Sequence, residues 1–174
     1  MAGFYWGLLH PFTLAPQLLA LLAVGLAIQQ RLPAGQELLA SFVIASVAGI
    51  CVAAGGWSSS NAEPLLLAMA IVVGLLVASA LPLHRAILWL LGVMVGLPSG
   101  YVSLPDPGPV WAMASSAGGA LVGACLLLIL LAGGLQALQQ KVTWGWLSIA
   151  VRIAGSWITA ISLLLGALML RGKI

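Results

Sequence analysis

The chain has 174 residues, of which 63% are hydrophobic and only 5% are charged, and its formal net charge is +3. A soluble domain carries roughly 25% charged residues, so this composition excludes one, and the mean hydropathy of +1.19 agrees with a protein of the lipid bilayer. The basic residues are scattered at the ends of apolar segments, which is typical of orientation signals in membrane proteins and excludes a nucleic-acid-binding surface.

Apolar runs of roughly 20 residues, the length that a helix needs to cross a bilayer, recur along the whole chain. We therefore predict an all-α fold, a polytopic transmembrane helix bundle that forms a single integral membrane domain over residues 1-174. The six predicted spans are residues 13-30, 37-54, 64-81, 85-97, 111-138 and 144-170.

The first span begins in an irregular stretch that contains a His-Pro step, Thr13 and a second proline, Pro16. We expect Thr13 to cap the helix, because the first backbone N–H groups of a helix lack partners. Pro16 then lies in the first turn, where its missing N–H costs little.

Small residues recur every three or four positions on the next four spans. They are Ser41, Ala45 and Gly49 on span two, Ala70, Gly74 and Ala78 on span three, Gly92 and Gly96 on span four, and Ser116, Gly119 and Gly123 on span five. Such residues let helix backbones approach closely in lipid. We interpret them as helix-packing residues. Faces that the bundle leaves unused are available to other membrane protein subunits or to a second copy of the chain.

The longest predicted loop, Pro98–Pro109, contains four prolines. Proline disfavours regular helix and favours an extended path, so we expect no helix across this loop. A segment stiffened in this way loses little entropy on binding, which suits it to an external contact.

The sixth span carries polar and small residues at spacings of three and four. They are Ser148, Arg152, Ser156, Thr159, Ser162 and Gly166. An arginine within a membrane span indicates a functional site, so we predict that Arg152, Ser148, Ser156 and Thr159 line a polar path or contact a partner, with Arg152 facing the bundle. The alternative is that Arg152 extends its guanidinium to the lipid headgroups.

The loop charges predict the orientation of the bundle. Arg31, Arg85 and Lys141 share one side of the membrane in the six-span arrangement, and the positive-inside rule places that side in the cytoplasm. Both termini and the Pro98–Pro109 loop then lie outside, in the periplasm if the membrane is a bacterial inner membrane. We expect Arg31 and Glu37 to form a solvated pair.

The sequence offers little for chemistry. No two carboxylates are placed for acid–base work, and no nucleophile, phosphate-binding or haem motif is present, so we predict neither an enzyme nor a bound cofactor. His10 is a candidate metal ligand, but one imidazole does not make a site. The alternative is an interfacial histidine bonded to water or to a backbone carbonyl.

The stretch from Gly7 to Gln30 resembles the opening helix of the HupE/UreJ family, the hydrogenase and urease accessory membrane proteins associated with nickel uptake. The family motif is His-Pro-x-x-Gly-x-Asp-His followed by an apolar run. His10-Pro11 matches the start of that motif, and residues 18–25 match nearly all of the run. The resemblance implies a six-span membrane protein with an external N-terminus and a metal ligand at His10.

Three residues depart from the family motif: Leu14 stands in place of the glycine, Pro16 in place of the aspartate and Gln17 in place of the second histidine. Proline offers a metal no donor atom, and a neutral amide is a poor ligand for nickel. Two of the three ligands that the resemblance implies are therefore missing.

Two functions remain open from the sequence. The first is a non-catalytic accessory or scaffold subunit of a larger membrane complex, and the alternative is a small permease for a nickel-type metal ion or another small solute. A permease should have a water-accessible cavity near the middle of the bilayer, whereas a scaffold should be packed shut.

Overall fold

The computed structural model describes residues 2–56, 61–104, 109–141 and 146–172, and its regular elements in these ranges are all α-helices. The helices are α1 (Ala2–Thr13), α2 (Ala15–Gln30), α3 (Gly35–Ala54), α4 (Ala62–Ser79), α5 (Arg85–Val102), α6 (Val110–Lys141) and α7 (Trp146–Arg171). Helices α3 to α7 are each long and apolar enough to cross a membrane, and the bent pair α1–α2 makes a sixth span if it is counted as one. The predicted all-α transmembrane bundle is confirmed.

Helix α2 lies at the centre of the bundle. It contacts each of the other described helices, and most of its 16 residues are buried, with Leu21, Ala23 and Val24 fully so. A helix that is hydrophobic all round belongs in an interior, and the uninterrupted apolar run of α2 meets that condition. The part of the HupE/UreJ-like stretch that forms α2 therefore lies at the centre of the core.

Helices α3 and α5 pack side by side through small residues. A Cβ atom added at Gly92 would overlap the Ser41 hydroxyl, and one at Gly96 would overlap the Phe42 carbonyl oxygen. The two helix backbones are therefore in direct contact, which is the geometry that small residues permit between helices in lipid.

Helix α6 makes the same kind of contact with α1. A Cβ atom at Gly119 would collide with the Phe4 carbonyl, and one at Gly123 with the Leu8 carbonyl. The 32 residues of α6 rise about 48 Å, which exceeds the hydrocarbon thickness of about 30 Å. Helix α6 is therefore long enough both to cross the bilayer and to give α1 a protein surface to lie against in its first half.

Two features of the helices differ from the predictions. Helix α5 ends at Val102, five residues beyond the predicted end at Leu97, and the buried Pro98 lies inside it. The expectation that no helix crosses the start of the proline-rich loop is wrong there, because one missing N–H removes one hydrogen bond while the packed face of α5 remains. Residues 105–108 of that loop lie outside the described residues. The second feature, a separate helix α1 before the first span, was not predicted.

Candidate functional site at the helix break

The candidate site is the break between α1 and α2. The two helices meet at Leu14, which is extended (φ −96°, ψ 107°), and their axes differ by 77°. Leu14, rather than Thr13, is the N-cap of α2, and its carbonyl accepts the first helical bond from Leu18. The prediction that Thr13 caps α2 is wrong, because Thr13 closes α1 instead and donates from its hydroxyl to the His10 carbonyl at 2.8 Å. Pro16 lies in the first turn of α2.

Gln17 links this break to α5. Its side chain is 0% exposed, and its Nε2 donates to the Ser99 hydroxyl at 3.0 Å, the Ser103 hydroxyl at 3.2 Å and the Ser99 carbonyl at 3.4 Å. The Ser103 hydroxyl donates in turn to the Ser99 carbonyl at 2.7 Å. Gln17 Oε1 is buried without a hydrogen-bond partner. The start of α2 is thereby tied to the last turn of α5 by a polar cluster within an apolar core.

His10 stands close to the break along the chain but is not joined to a second ligand. It is half-buried, and its Nδ1 is buried with no hydrogen-bond partner. The other histidine, His84, is the N-cap of α5, where its Nδ1 accepts from the Ala86 N–H at 3.3 Å, at the opposite end of α5 from Ser99. The described residues contain no group of three or more His, Cys, Asp or Glu side chains that could hold a metal ion.

The comparison with protein families decides the identity at this point. The family described as "HupE / UreJ protein" matches residues 1–167, from α1 into α7. The chain belongs to the HupE/UreJ family. The resemblance in the sequence rested on about the first 25 residues, and the match extends it over nearly the whole bundle. No curated protein and no solved structure gives a significant match.

Membership in the HupE/UreJ family together with the apolar helices establishes an integral membrane protein. By the resemblance of the opening stretch to the family motif, Gln17 stands where the motif has its second histidine and Pro16 where it has its aspartate. The residues at the break do not fit a nickel ion, because Pro16 has no side-chain donor atom and the only free atom of the Gln17 amide, Oε1, is a neutral oxygen that is a poor ligand for nickel. His10 matches the first histidine of the motif, but the aspartate and the second histidine that would bind a metal with it are absent.

The polar residues of α7 share one face of the helix but differ in burial. Ser148, Arg152 and Ser156 are exposed, whereas Thr159 and Ser162 are buried. The split follows position along the helix rather than rotation about it, because the buried Thr159 points between the directions of the exposed Ser148 and Arg152. That these residues line a polar path or contact a partner stays a prediction.

Arg152 caps a neighbouring helix. Its Nε donates to the Ala78 carbonyl at 2.8 Å, next to the end of α4 at Ser79. Cationic side chains favour helix C-termini, where carbonyl groups lack partners and the helix dipole is negative. Arg152 is therefore directed at a neighbouring helix of the bundle while its side chain is exposed, and its role in a polar path or a partner contact stays a prediction.

The charged residues pair differently from the prediction. Glu37 Oε1 lies 3.3 Å from Arg85 Nη1, so the expected pair of Glu37 with Arg31 is wrong. Arg31 is half-buried after the end of α2, and its Nε and Nη2 atoms have no hydrogen-bond partner. Burial lowers the pKa of its guanidinium, because desolvation disfavours the charged form. Sequence spacing could not show that the start of α5 packs beside the start of α3.

Ser99 and Ser103 are not among the residues predicted from the sequence. Both residues were assigned to an extended loop, and they lie more than 80 positions from Gln17 in the chain. Their spacing of four residues would have placed them on one face of a helix, had the helix been extended past Pro98.

Proposed function

We propose that this HupE/UreJ protein is a non-catalytic accessory subunit that acts as a scaffold in a larger membrane complex. The observation that carries the proposal is the burial and hydrogen bonding of the Gln17 side chain. At the place of a family ligand stands a fully buried amide that is bonded to Ser99 and Ser103. A side chain in that state fastens two helices together through its Nε2, and its remaining acceptor, Oε1, is a neutral amide oxygen enclosed in the packed bundle.

Surfaces for a partner remain on the outside of α6. Added Cβ atoms at Gly118, Gly133 and Gly134 would meet nothing within 4 Å, so these small residues are not used for packing within the described bundle. In lipid, close approach of backbones supplies the attraction between helices. Gly133 and Gly134 therefore offer an outward face on which a helix of another subunit can pack.

We expect the protein to co-purify in stoichiometric amounts with other membrane subunits when native membranes are extracted in mild detergent. Gly133→Leu combined with Gly134→Leu should release these subunits, because two large side chains would hold the partner helix away. Gly166→Leu is the matched control, since Gly166 also faces open space but lies on α7. The measurement is the subunit ratio after affinity purification. Monodisperse monomers that transport a solute when reconstituted alone would rule out the scaffold.

The second candidate function is a small permease for a nickel-type ion or another small solute. One observation favours it, the 77° bend between α1 and α2, because discontinuous helices form the substrate sites of many transporters. The buried Gln17 Oε1 without a partner lies close to this bend in the chain. Titration of the wild-type protein with Ni²⁺ distinguishes the two functions.

We also propose that the protein lies in a bacterial inner membrane with both termini in the periplasm. Arg31, Arg85 and Lys141 at one end of the bundle support this orientation. With Cys51→Ser and Cys125→Ser as background, we expect Gly172→Cys to react with a membrane-impermeant maleimide in intact cells. Gln139→Cys should react only after permeabilisation, and labelling of both positions in intact cells would contradict the orientation.

A further inference from the structure

An apolar groove opens between the first half of α4 and the second half of α7. Its cavity volume is about 700 Å³, which lies within the range of small-molecule pockets. The floor is apolar and includes Leu67, Ile71 and Leu163, whereas Asn61 and Glu63 line the mouth. The groove is therefore graded from polar at the membrane surface to apolar toward the middle of the bilayer.

The groove exists because α4 and α7 touch at one level and diverge from it. At the crossing, a Cβ atom on Gly74 would lie 2.9 Å from the Gly155 carbonyl oxygen, and one on Gly155 would lie 2.9 Å from the Gly74 carbonyl oxygen. Three turns further along α7, an added Cβ atom at Gly166 would meet nothing within 4 Å. The space between the helices is thus closed at the crossing and open at the membrane surface.

The depth of the groove matches one leaflet of a bilayer. The ten steps from Asn61 to Ile71 along α4 rise about 15 Å, and one leaflet contributes about half of a hydrocarbon core that is about 30 Å thick. A transmembrane helix of a partner would need the full thickness, but the Gly74–Gly155 crossing blocks the groove at half that depth. These dimensions suit a single acyl chain.

The charges at the mouth indicate which headgroup accompanies that chain. Glu63 lines the mouth, and Arg171 lies between Leu170 and Gly172, which also line the groove. Within the described ranges, neither Glu63 nor Arg171 takes part in an ion pair. Lipid tails are as apolar as leucine, so the acyl chain alone does not make the groove prefer one lipid over the lipids of the surrounding bilayer. Any selectivity must come from the headgroup.

We propose that the groove between α4 and α7 binds one acyl chain of a phospholipid whose headgroup carries a primary ammonium group. The ammonium group pairs with the Glu63 carboxylate, and the lipid phosphate pairs with the Arg171 guanidinium. A phospholipid with phosphate as its only charge can pair with Arg171 but leaves the Glu63 carboxylate without a counter-charge, and it binds less well for that reason.

The test is the lipid that remains with the protein after purification. Full-length wild type and variants are reconstituted in vesicles of equal parts phosphatidylethanolamine and phosphatidylglycerol, extracted in mild detergent and examined by native mass spectrometry. We expect wild type to retain one phosphatidylethanolamine. Gly166→Leu should reduce the retained lipid at least tenfold, because leucine fills the open space in the groove. Gly133→Leu, a matched control on α6, should retain the lipid as wild type does.

A second variant tests the headgroup separately. Glu63→Gln keeps the groove open and removes the carboxylate, so phosphatidylethanolamine and phosphatidylglycerol should be retained equally. The proposal is overturned if wild type prefers neither lipid, or if Gly166→Leu retains as much lipid as Gly133→Leu. Release of a protein subunit or of a second copy by Gly166→Leu, in place of lipid, would assign the groove to that partner and overturn the proposal equally.

Discussion

Gln17→Glu is expected to destabilise the protein by at least about 3 kcal/mol, enough to lower its yield sharply. The variant places a carboxyl group where the side chain is 0% exposed, and an unpaired buried charge is very costly. It also removes the N–H donors that the hydroxyls of Ser99 and Ser103 accept, each of which costs roughly 1–3 kcal/mol when left unpaired. The measurement is thermal unfolding in detergent, followed by size-exclusion chromatography.

Gln139→Glu is the control, because it makes the same chemical change at an exposed position near the end of α6. A Gln17→Glu protein as stable as Gln139→Glu at neutral pH would show that Gln17 is accessible to water.

The spanning helices could be predicted because lipid imposes one requirement that is visible in the chain. Every backbone group in a bilayer must be bonded within its own segment, so α3 to α7 each appear as a long apolar run. The close approach of α5 to a neighbouring helix could also be anticipated, since Gly92 and Gly96 are spaced for it, although the spacing did not identify α3 as that neighbour. These features depend on local sequence alone.

The candidate site could not be predicted, because it depends on which segments become neighbours. From the sequence, Gln17 is interpreted as a lost metal ligand. Only the fold shows that α5 brings Ser99 and Ser103 within hydrogen-bond distance of it. From the sequence, Arg152 is predicted to face the bundle. Only the fold shows that the end of α4 lies beside it and that the Ala78 carbonyl accepts its hydrogen bond. Helix α1 was missed for a different reason. Its 12 residues are too short for a span, and it is held by contact with α6.

A measurement of nickel binding distinguishes the scaffold function from the permease function. Wild-type protein titrated with Ni²⁺ in a calorimeter is expected to show no stoichiometric site of micromolar affinity or better. His10 supplies one imidazole, and no His, Cys, Asp or Glu group of three exists in the described residues to complete a site around it. A nickel site of nitrogen and oxygen ligands requires several of them at fixed geometry.

The matched positive control restores the family motif through Leu14→Gly, Pro16→Asp and Gln17→His in one chain. We expect this variant to gain a stoichiometric nickel site. Its ligands would be His10 at the end of α1 and the new side chains at positions 16 and 17 at the start of α2, on the two sides of the break at position 14. His10 Nδ1 has no hydrogen bond that would compete with the metal. Adding His10→Ala should abolish the gained site, which would show that His10 is one of its ligands. A micromolar site in wild type that disappears in His10→Ala would contradict the scaffold. Nickel uptake by the same wild-type protein in proteoliposomes would then establish the permease, with His10 at its entrance.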